Sequence, residues 1–217
     1  ETVAAEIERD FGSKAIGIAG DMGVKEDVLA MVQRAVDSFG GLDILVNNAS
    51  LLSAGVLLED KTDEMLRRTL EIGVWGNWWA MQAAFPHMKR RGGGSVINFS
   101  SIDAQTGAWL HSDYNINKLG IEGLTRSAAV EWGRFNIRVN AIAPGGVDTA
   151  IWESGPDFLA SVERIGREAT LKAMAKTTPS GRFASPQEMA ESICFLLSDA
   201  NSNITGHVLV SDGGFTL

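Results

Sequence analysis

Tyrosine and cysteine occur once each in the 217 residues, histidine three times and proline five times. A single cysteine, Cys194, cannot close an internal disulfide or build a zinc cluster. It lies in the apolar run Ile193-Cys194-Phe195-Leu196-Leu197 and reads as a buried thiol, in keeping with a reducing cytoplasm. His87, His111 and His207 are too dispersed for metal-ligand spacing, so no metal is expected. No apolar stretch approaches the roughly 20 residues of a bilayer span, and no signal peptide is seen, so neither membrane nor export is indicated. Basic residues fall short of acidic ones, 19 against 27, for a net charge of −8. That is the wrong sign for attracting phosphate backbones or anionic lipid, so neither nucleic acid nor membrane is an expected partner.

Glycine is plentiful, at 24 residues, without any repeating period. Hydrophobic residues make up 45% and charged residues 21%, the balance of a folded globular chain, and the length suits one domain over residues 1–217. Short apolar runs of strand length, Lys14–Ala19, Leu42–Asn47, Ser95–Ser100, Ile137–Ile142 and Val208–Ser211, alternate with helical patterns near Glu26–Phe39, Asp63–Arg90, Ser112–Arg134 and Pro186–Ser198. Such alternation predicts an α/β fold, a doubly wound parallel sheet covered on both faces. Residues 148–185, rich in Gly, Ser, Thr and Pro around one helical patch at Phe158–Met174, read as a lid beside the strand ends.

In such a sheet the ligand sits beyond the carboxyl ends of the strands. There the sequence places Asn47-Asn48-Ala49-Ser50, Ser100-Ser101 and Pro144-Gly145-Gly146-Val147-Asp148-Thr149. The single tyrosine opens Tyr114-Asn115-Ile116-Asn117-Lys118 on a predicted helix, where a spacing of four puts phenol and ammonium on one face. A phenol of pKa near 10 is about one part in a thousand ionised at pH 7. An ammonium about 5 Å away, at an effective dielectric near 20, favours the phenolate by roughly 3 kcal/mol. Lys118 is therefore expected to lower the pKa of Tyr114 and make it a usable acid/base; an isolated surface pair is the alternative.

Asn47-Asn48-Ala49, Ser101 thirteen residues before Tyr114, Tyr114-x-x-x-Lys118, Arg138-Val139-Asn140-Ala141-Ile142-Ala143-Pro144-Gly145 and the closing Asp212-Gly213-Gly214 together resemble the compact, single-domain short-chain dehydrogenases/reductases, with a Rossmann-like fold, over essentially the whole chain. The resemblance implies an NAD- or NADP-dependent oxidoreductase interconverting a secondary alcohol and a ketone. Tyr114 would exchange a proton with the substrate oxygen, Ser101 would hold that oxygen, and Lys118 would tune Tyr114 and grip the nicotinamide ribose. Asp21 and Met22 match the contact to adenine, Asn48 and Ala49 the segment along the adenosine ribose, and Gly145, Val147 and Thr149 the segment at the nicotinamide amide; Asp21 could equally cap the next helix. A non-catalytic relative that binds or assembles is a second reading. An extended epimerase or dehydratase would need a larger C-terminal domain, and an enoyl reductase a wider Tyr–Lys spacing that one tyrosine cannot supply.

Two departures concern individual residues. Ile72-Gly73-Val74-Trp75-Gly76 aligns with a pattern that usually carries an asparagine where Gly73 stands; Asn77, a turn on, could replace it, although a solvent-facing or interface role is the more natural reading. Ser50 stands where glycine is usual. A third departure is that the sequence opens at Glu1 inside what resembles the helix after the second strand. The glycine-rich pyrophosphate turn and the strand that selects NAD or NADP are not seen, so the resemblance implies a chain incomplete at its N-terminus, with two buried strands left with unpaired edges. Trp109, His111, Trp152 and Phe158 are placed to line a pocket for a hydrophobic or cyclic alcohol or ketone, His111 as a satisfied polar residue at its mouth. Trp75, Trp78 and Trp79 lie on the long helix that the family uses for subunit pairing, implying a homotetramer or dimer.

Overall fold

Four of the five apolar runs become parallel strands in the computed structural model, which describes residues 2–217. They are β1 (Ile44–Asn47), β2 (Gly94–Phe99), β3 (Ile137–Pro144) and β4 (Val208–Ser211), hydrogen-bonded in the order β1-β2-β3-β4. The registers Asn47↔Asn98, Phe99↔Ile142 and Pro144↔Ser211 bring the strand ends to one edge of the sheet. β3 is buried along nearly its whole length, as expected of a strand covered on both faces.

The helices are α1 (Val3–Phe11), α2 (Lys25–Phe39), α3 (Asp63–Leu70), α4 (Gly76–Arg91), α5 (Asp103–Thr106), α6 (Ser112–Trp132), α7 (Pro156–Ile165), α8 (Arg167–Met174) and α9 (Pro186–Leu197). Met81, Ala84 and Met88 of α4 and Ala128 and Ala129 of α6 pack on Val96, Ile137 and Val139. On the opposite face Met189 and Leu196 of α9 pack on Ile97 and Ile142. Alternate strand residues thus serve two separate helical layers. Ser185 and Glu188 form a reciprocal capping box that starts α9. Arg138, on β3, donates to the Leu196, Leu197 and Ser198 carbonyls at the other end of α9, fixing that helix to the sheet.

The fifth run, Lys14–Ala19, forms no strand. No strand among the described residues pairs with it, and Ile16 and Ile18 stay exposed; an extended apolar run becomes a strand only where a partner completes the ladder. The outer edge of β1 likewise has no strand partner among the described residues. The predicted helix Asp63–Arg90 is continuous but contains a π turn at Glu71–Trp75. The single helical patch of the lid is two helices, because Gly166 between them takes φ 84°, outside helical space. Cys194 is exposed rather than buried: α9 turns Met189, Ile193, Leu196 and Leu197 inward, and the helical period then carries positions 194 and 195 to the other side. No helix among the described residues is long and apolar enough to cross a membrane.

Candidate functional site

Beyond the carboxyl ends of β2 and β3 opens a cavity of about 660 Å³. Its floor holds Ser101, which follows β2, and Tyr114 and Lys118 from the first two turns of α6. One wall is the segment Pro144–Val147 with Thr149, and Asn48 and Ser50 border it from the β1 side. An aromatic wall closes the lid side: Trp152 and Phe183 stack with ring centroids 5.2 Å apart, and the Trp152 indole donates to the Val147 carbonyl at 2.7 Å. The lid returns to the sheet through Ala184, whose N–H donates to Gly146 O at 2.9 Å and whose carbonyl accepts from Asp148 N at 2.9 Å.

Lys118 is 2% exposed, and its Nζ donates to the Phe99 carbonyl at 2.8 Å. The ammonium lies over the Tyr114 ring, 5.1 Å from its centroid. Burial pulls Lys118 down to about 8, so it stays largely protonated at neutral pH. Tyr114 moves opposite to the sequence expectation. Burial, reinforced by the negative charge of Asp103 and only partly opposed by hydrogen bonding to Ser101, pushes its phenol up to about 12. Desolvating the phenolate outweighs an ammonium that sits over the ring and gives a hydrogen bond to a backbone carbonyl. Tyr114 is consequently held as the neutral, proton-bearing phenol.

Asp103 was not singled out by the sequence, though it stands only two residues after Ser101. It lines the cavity, and burial raises its carboxyl, against the opposing influence of His111, Ser101 and Lys118. His111 also lines the cavity, but it is not a satisfied polar residue, since its buried Nδ1 has no hydrogen-bond partner. Burial and the charge of Lys61 both lower its pKa. Next to Tyr114, Asp113 is buried in an ion pair with Lys61 at 2.7 Å and accepts from Ser53 Oγ at 2.6 Å and Thr69 Oγ1 at 2.8 Å. This network ties the β1–α3 connection to the start of α6, and nothing in local periodicity announces it.

Of the remaining predicted site residues, Asn48, Gly145, Val147, Thr149 and Trp152 line the cavity. Asp21, Met22, Ala49, Trp109 and Phe158 do not. Asp21 accepts from Gly23 N at 2.8 Å and from Arg68 Nη2 at 2.6 Å, and the cap position of α2 is Val24, so Asp21 is not that helix cap. Trp109 is 80% exposed. Phe158 is buried within the lid, on the inward side of α7. Asn77 is buried, not solvent-facing, and the space beside Gly73 is filled by Asn117.

The residues present suit a nicotinamide and its ribose. Lys118 has N–H groups beyond the one given to Phe99 O, and Gly145 and Gly146 leave bare backbone on the cavity wall. A side-chain carbon on Gly145 would come within 2.9 Å of the Asp212 backbone, and one on Gly146 would overlap the Phe183 ring.

A family model described as enoyl-(acyl carrier protein) reductase matches residues 1–216. The chain is 38% identical over 209 residues to cis-4-hydroxycyclohexanecarboxylate dehydrogenase of Sinomonas cyclohexanicum, covering 96% of this chain and 79% of that protein. It is 37% identical over 206 residues to 2,5-dichloro-2,5-cyclohexadiene-1,4-diol dehydrogenase of Sphingobium indicum, covering 94% and 79%. The crystal structure of L-sorbose reductase from Gluconobacter frateurii, complexed with NADPH and L-sorbose, superposes with a TM-score of 0.92 at 32% identity, covering 98% of this chain and 81% of that one.

Proposed function

The chain belongs to the short-chain dehydrogenases/reductases, NAD(P)-dependent oxidoreductases of alcohols and ketones, and from that premise we propose that it interconverts a cyclic secondary alcohol and its ketone, with Tyr114 as the acid/base. The observation that carries this reading is the convergence of Ser101, Tyr114 and Lys118 on the floor of one cavity. The nicotinamide, when bound, supplies or accepts the hydride. Lys118 would grip its ribose and Gly145, Val147 and Thr149 would hold its amide end, with Asn48 along the adenosine ribose. Tyr114 presents a neutral phenol to the substrate oxygen and gives its proton as charge develops there, while the Ser101 hydroxyl steadies that oxygen. Lys118, charged and fixed by Phe99 O, keeps the phenol ring in place.

The substrate class is supported by the aromatic wall of Trp152 and Phe183 and by the ring alcohols that two relatives act on. Residues 148–185 serve as the lid of this single domain. A reductase of enoyl groups, which the family model's description suggests, is disfavoured by a chain whose single tyrosine stands four residues from its lysine. The test is the rate of NAD(P)H formation with 4-substituted cyclohexanols against open-chain alcohols, with each nucleotide. Faster turnover of the ring alcohols supports the proposal; turnover confined to open-chain substrates overturns it.

Asp103 disfavours the phenolate by its charge. In Asp103→Asn the Tyr114 pKa falls, so the rise of alcohol oxidation with pH moves to lower pH; an unmoved profile shows that Asp103 does not act on Tyr114.

We place the enzyme in the cytoplasm as a homotetramer or dimer. Trp75 and Trp78 at the start of the α4 region and Leu119 and Val130 on α6 are exposed large apolar side chains, more than isolated surface residues require. Light scattering at micromolar concentration is expected to give a multiple of the monomer mass, and a monomer mass refutes this.

A further inference from the structure

His111 stands about one turn before Tyr114, and Asp103 two residues after Ser101, so each borders a reacting group in the cavity wall. The Nδ1 of His111 is sealed inside the protein without a hydrogen-bond partner. Burial and the charge of Lys61 lower the imidazole pKa below 6.5, so the ring is neutral at pH 7. An orphaned buried N–H is rarer than a bare acceptor, so the proton belongs on Nε2, the ring's remaining polar group for the cavity. Burial dominates the shifts of both side chains, raising the Asp103 carboxyl and lowering His111, and each also feels the charge of the other.

The backbone holds the two in place. Leu110, just before His111, takes φ 66°, a region that bulky side chains avoid, and Val56 N–H donates to its carbonyl at 3.0 Å. Asn115 N–H donates to His111 O at 3.0 Å, and the Asn115 side-chain amide donates to Asp103 O. Asp103 N–H donates in turn to Ser101 Oγ at 3.2 Å. One asparagine therefore ties both residues together beside the serine. Backbone held against its preference in this way clusters at positions that clamp ligands.

An Nε2–H donor beside a carboxyl acceptor matches a hydroxyl, which accepts from the one and donates to the other. An apolar substituent leaves both unpaired. A carboxylate has no proton for Asp103 and meets its negative charge. The cations whose charge reaches these two side chains are engaged elsewhere: Lys61 serves Asp113 at 2.7 Å, Ser53 Oγ at 3.0 Å and Ala54 O at 3.1 Å, and Lys118 binds Phe99 O and lies over the Tyr114 ring. Side chains one helical turn apart have Cβ atoms about 5–6 Å from each other, the span of a ring and not of a single bond. We propose that His111 and Asp103 bind a second hydroxyl on the substrate ring, making the enzyme selective for ring diols over ring alcohols with an apolar or carboxylate group across the ring. This rests on the reading of the cavity as a ring-alcohol site and adds what the far side of the ring carries.

The experiment compares kcat/KM for cyclohexane-1,4-diol, 4-methylcyclohexanol and 4-hydroxycyclohexanecarboxylate, with NAD and NADP, in the wild type, His111→Phe, His111→Gln and Asp103→Asn. Thermal unfolding and nucleotide titration of each protein establish that it folds. The wild type is expected to favour the diol at least about tenfold over both other compounds. His111→Phe should bring the diol and the methyl alcohol to near equality, and His111→Gln, whose amide also donates, should restore part of the preference. Asp103→Asn, which keeps an acceptor but removes the charge, should keep the diol ahead of the methyl alcohol and narrow the gap to the acid. All three substrates meet the same Ser101, Tyr114 and Lys118, so a general loss of catalysis does not move the ratios. Equal wild-type efficiency on the diol and 4-methylcyclohexanol overturns this proposal and leaves the ring reading intact, as does a wild-type ratio in folded His111→Phe. Should a variant fail to fold, the wild-type comparison decides. Turnover confined to open-chain alcohols overturns the ring reading and this proposal together.

Discussion

Replacing Tyr114 with phenylalanine is expected to lower turnover by about 10²–10⁴-fold, the usual contribution of a positioned acid/base, while NADH and NADPH titrations follow the wild-type curve. At about 1.36 kcal/mol per decade, that is roughly 3–5 kcal/mol of transition-state stabilisation. The ring carries the packing and the contact with the Lys118 ammonium, 5.1 Å from its centroid; the hydroxyl alone carries the proton. Burial and Asp103 hold that hydroxyl neutral, with its pKa at about 12, so at neutral pH it is ready to donate to a developing alkoxide. No other tyrosine exists in the chain, and Ser101 can hold the substrate oxygen but is a poor proton source. Single-turnover rates on a confirmed substrate check this. A variant retaining the wild-type rate would move the acid role to His111 or Asp103, which also line the cavity.

The second large effect is on stability. Lys61→Met is expected to destabilise the protein by about 3–5 kcal/mol, as when one partner is taken from a buried ion pair. The Asp113 side chain is 1% exposed and that of Lys61 6%, so the stranded carboxylate would have no water to turn to. Lys61 also donates to Ser53 Oγ at 3.0 Å and Ala54 O at 3.1 Å, so the loop bearing Asn48 and Ser50 should loosen as well. The sign with pH follows from Asp113. Burial raises its carboxyl, but hydrogen bonds from Lys61, Ser53 and Thr69 and the charge of Lys61 outweigh that, leaving it below the usual carboxylate range. In the wild type this contributes stability above the unfolded carboxyl's pKa near 3.9, lost as pH falls through the lower folded value. In Lys61→Met the folded pKa lies above the unfolded one, so the deficit is full at pH 7 and shrinks toward pH 4. Urea unfolding of both proteins across that range measures it, and a pH-independent difference would show that Asp113 is not the group left uncompensated.

The sequence marks the parts of the site that depend on near neighbours. Tyr114 and Lys118 share a helix face because four residues make about one turn. Ser101, Asn48 and Gly145 gather because parallel strands put their carboxyl ends together, so locating the strands locates the edge at which the ligand binds. Alternation of short apolar runs with amphipathic segments was sufficient for that, and it placed β2, β3, β4 and α9 within a few residues of where they lie.

Environment was legible only in three dimensions. Lys14–Ala19 has the composition of a strand but no strand partner among the described residues, and a ladder needs two strands. Cys194 sits in an apolar run yet faces outward, because the helix presents only one side to the sheet. The direction of the Tyr114 shift depends on how much water burial removes and on where Asp103 lies. Sequence spacing supplied the lysine's proximity but neither of those. Asn117 came into view as the occupant of the space beside Gly73 only once two helices more than forty residues apart in sequence were packed together. Period and spacing encode which residues share a face; charge, hydration and pKa are set by atoms distant in the chain, which only the folded structure brings within reach.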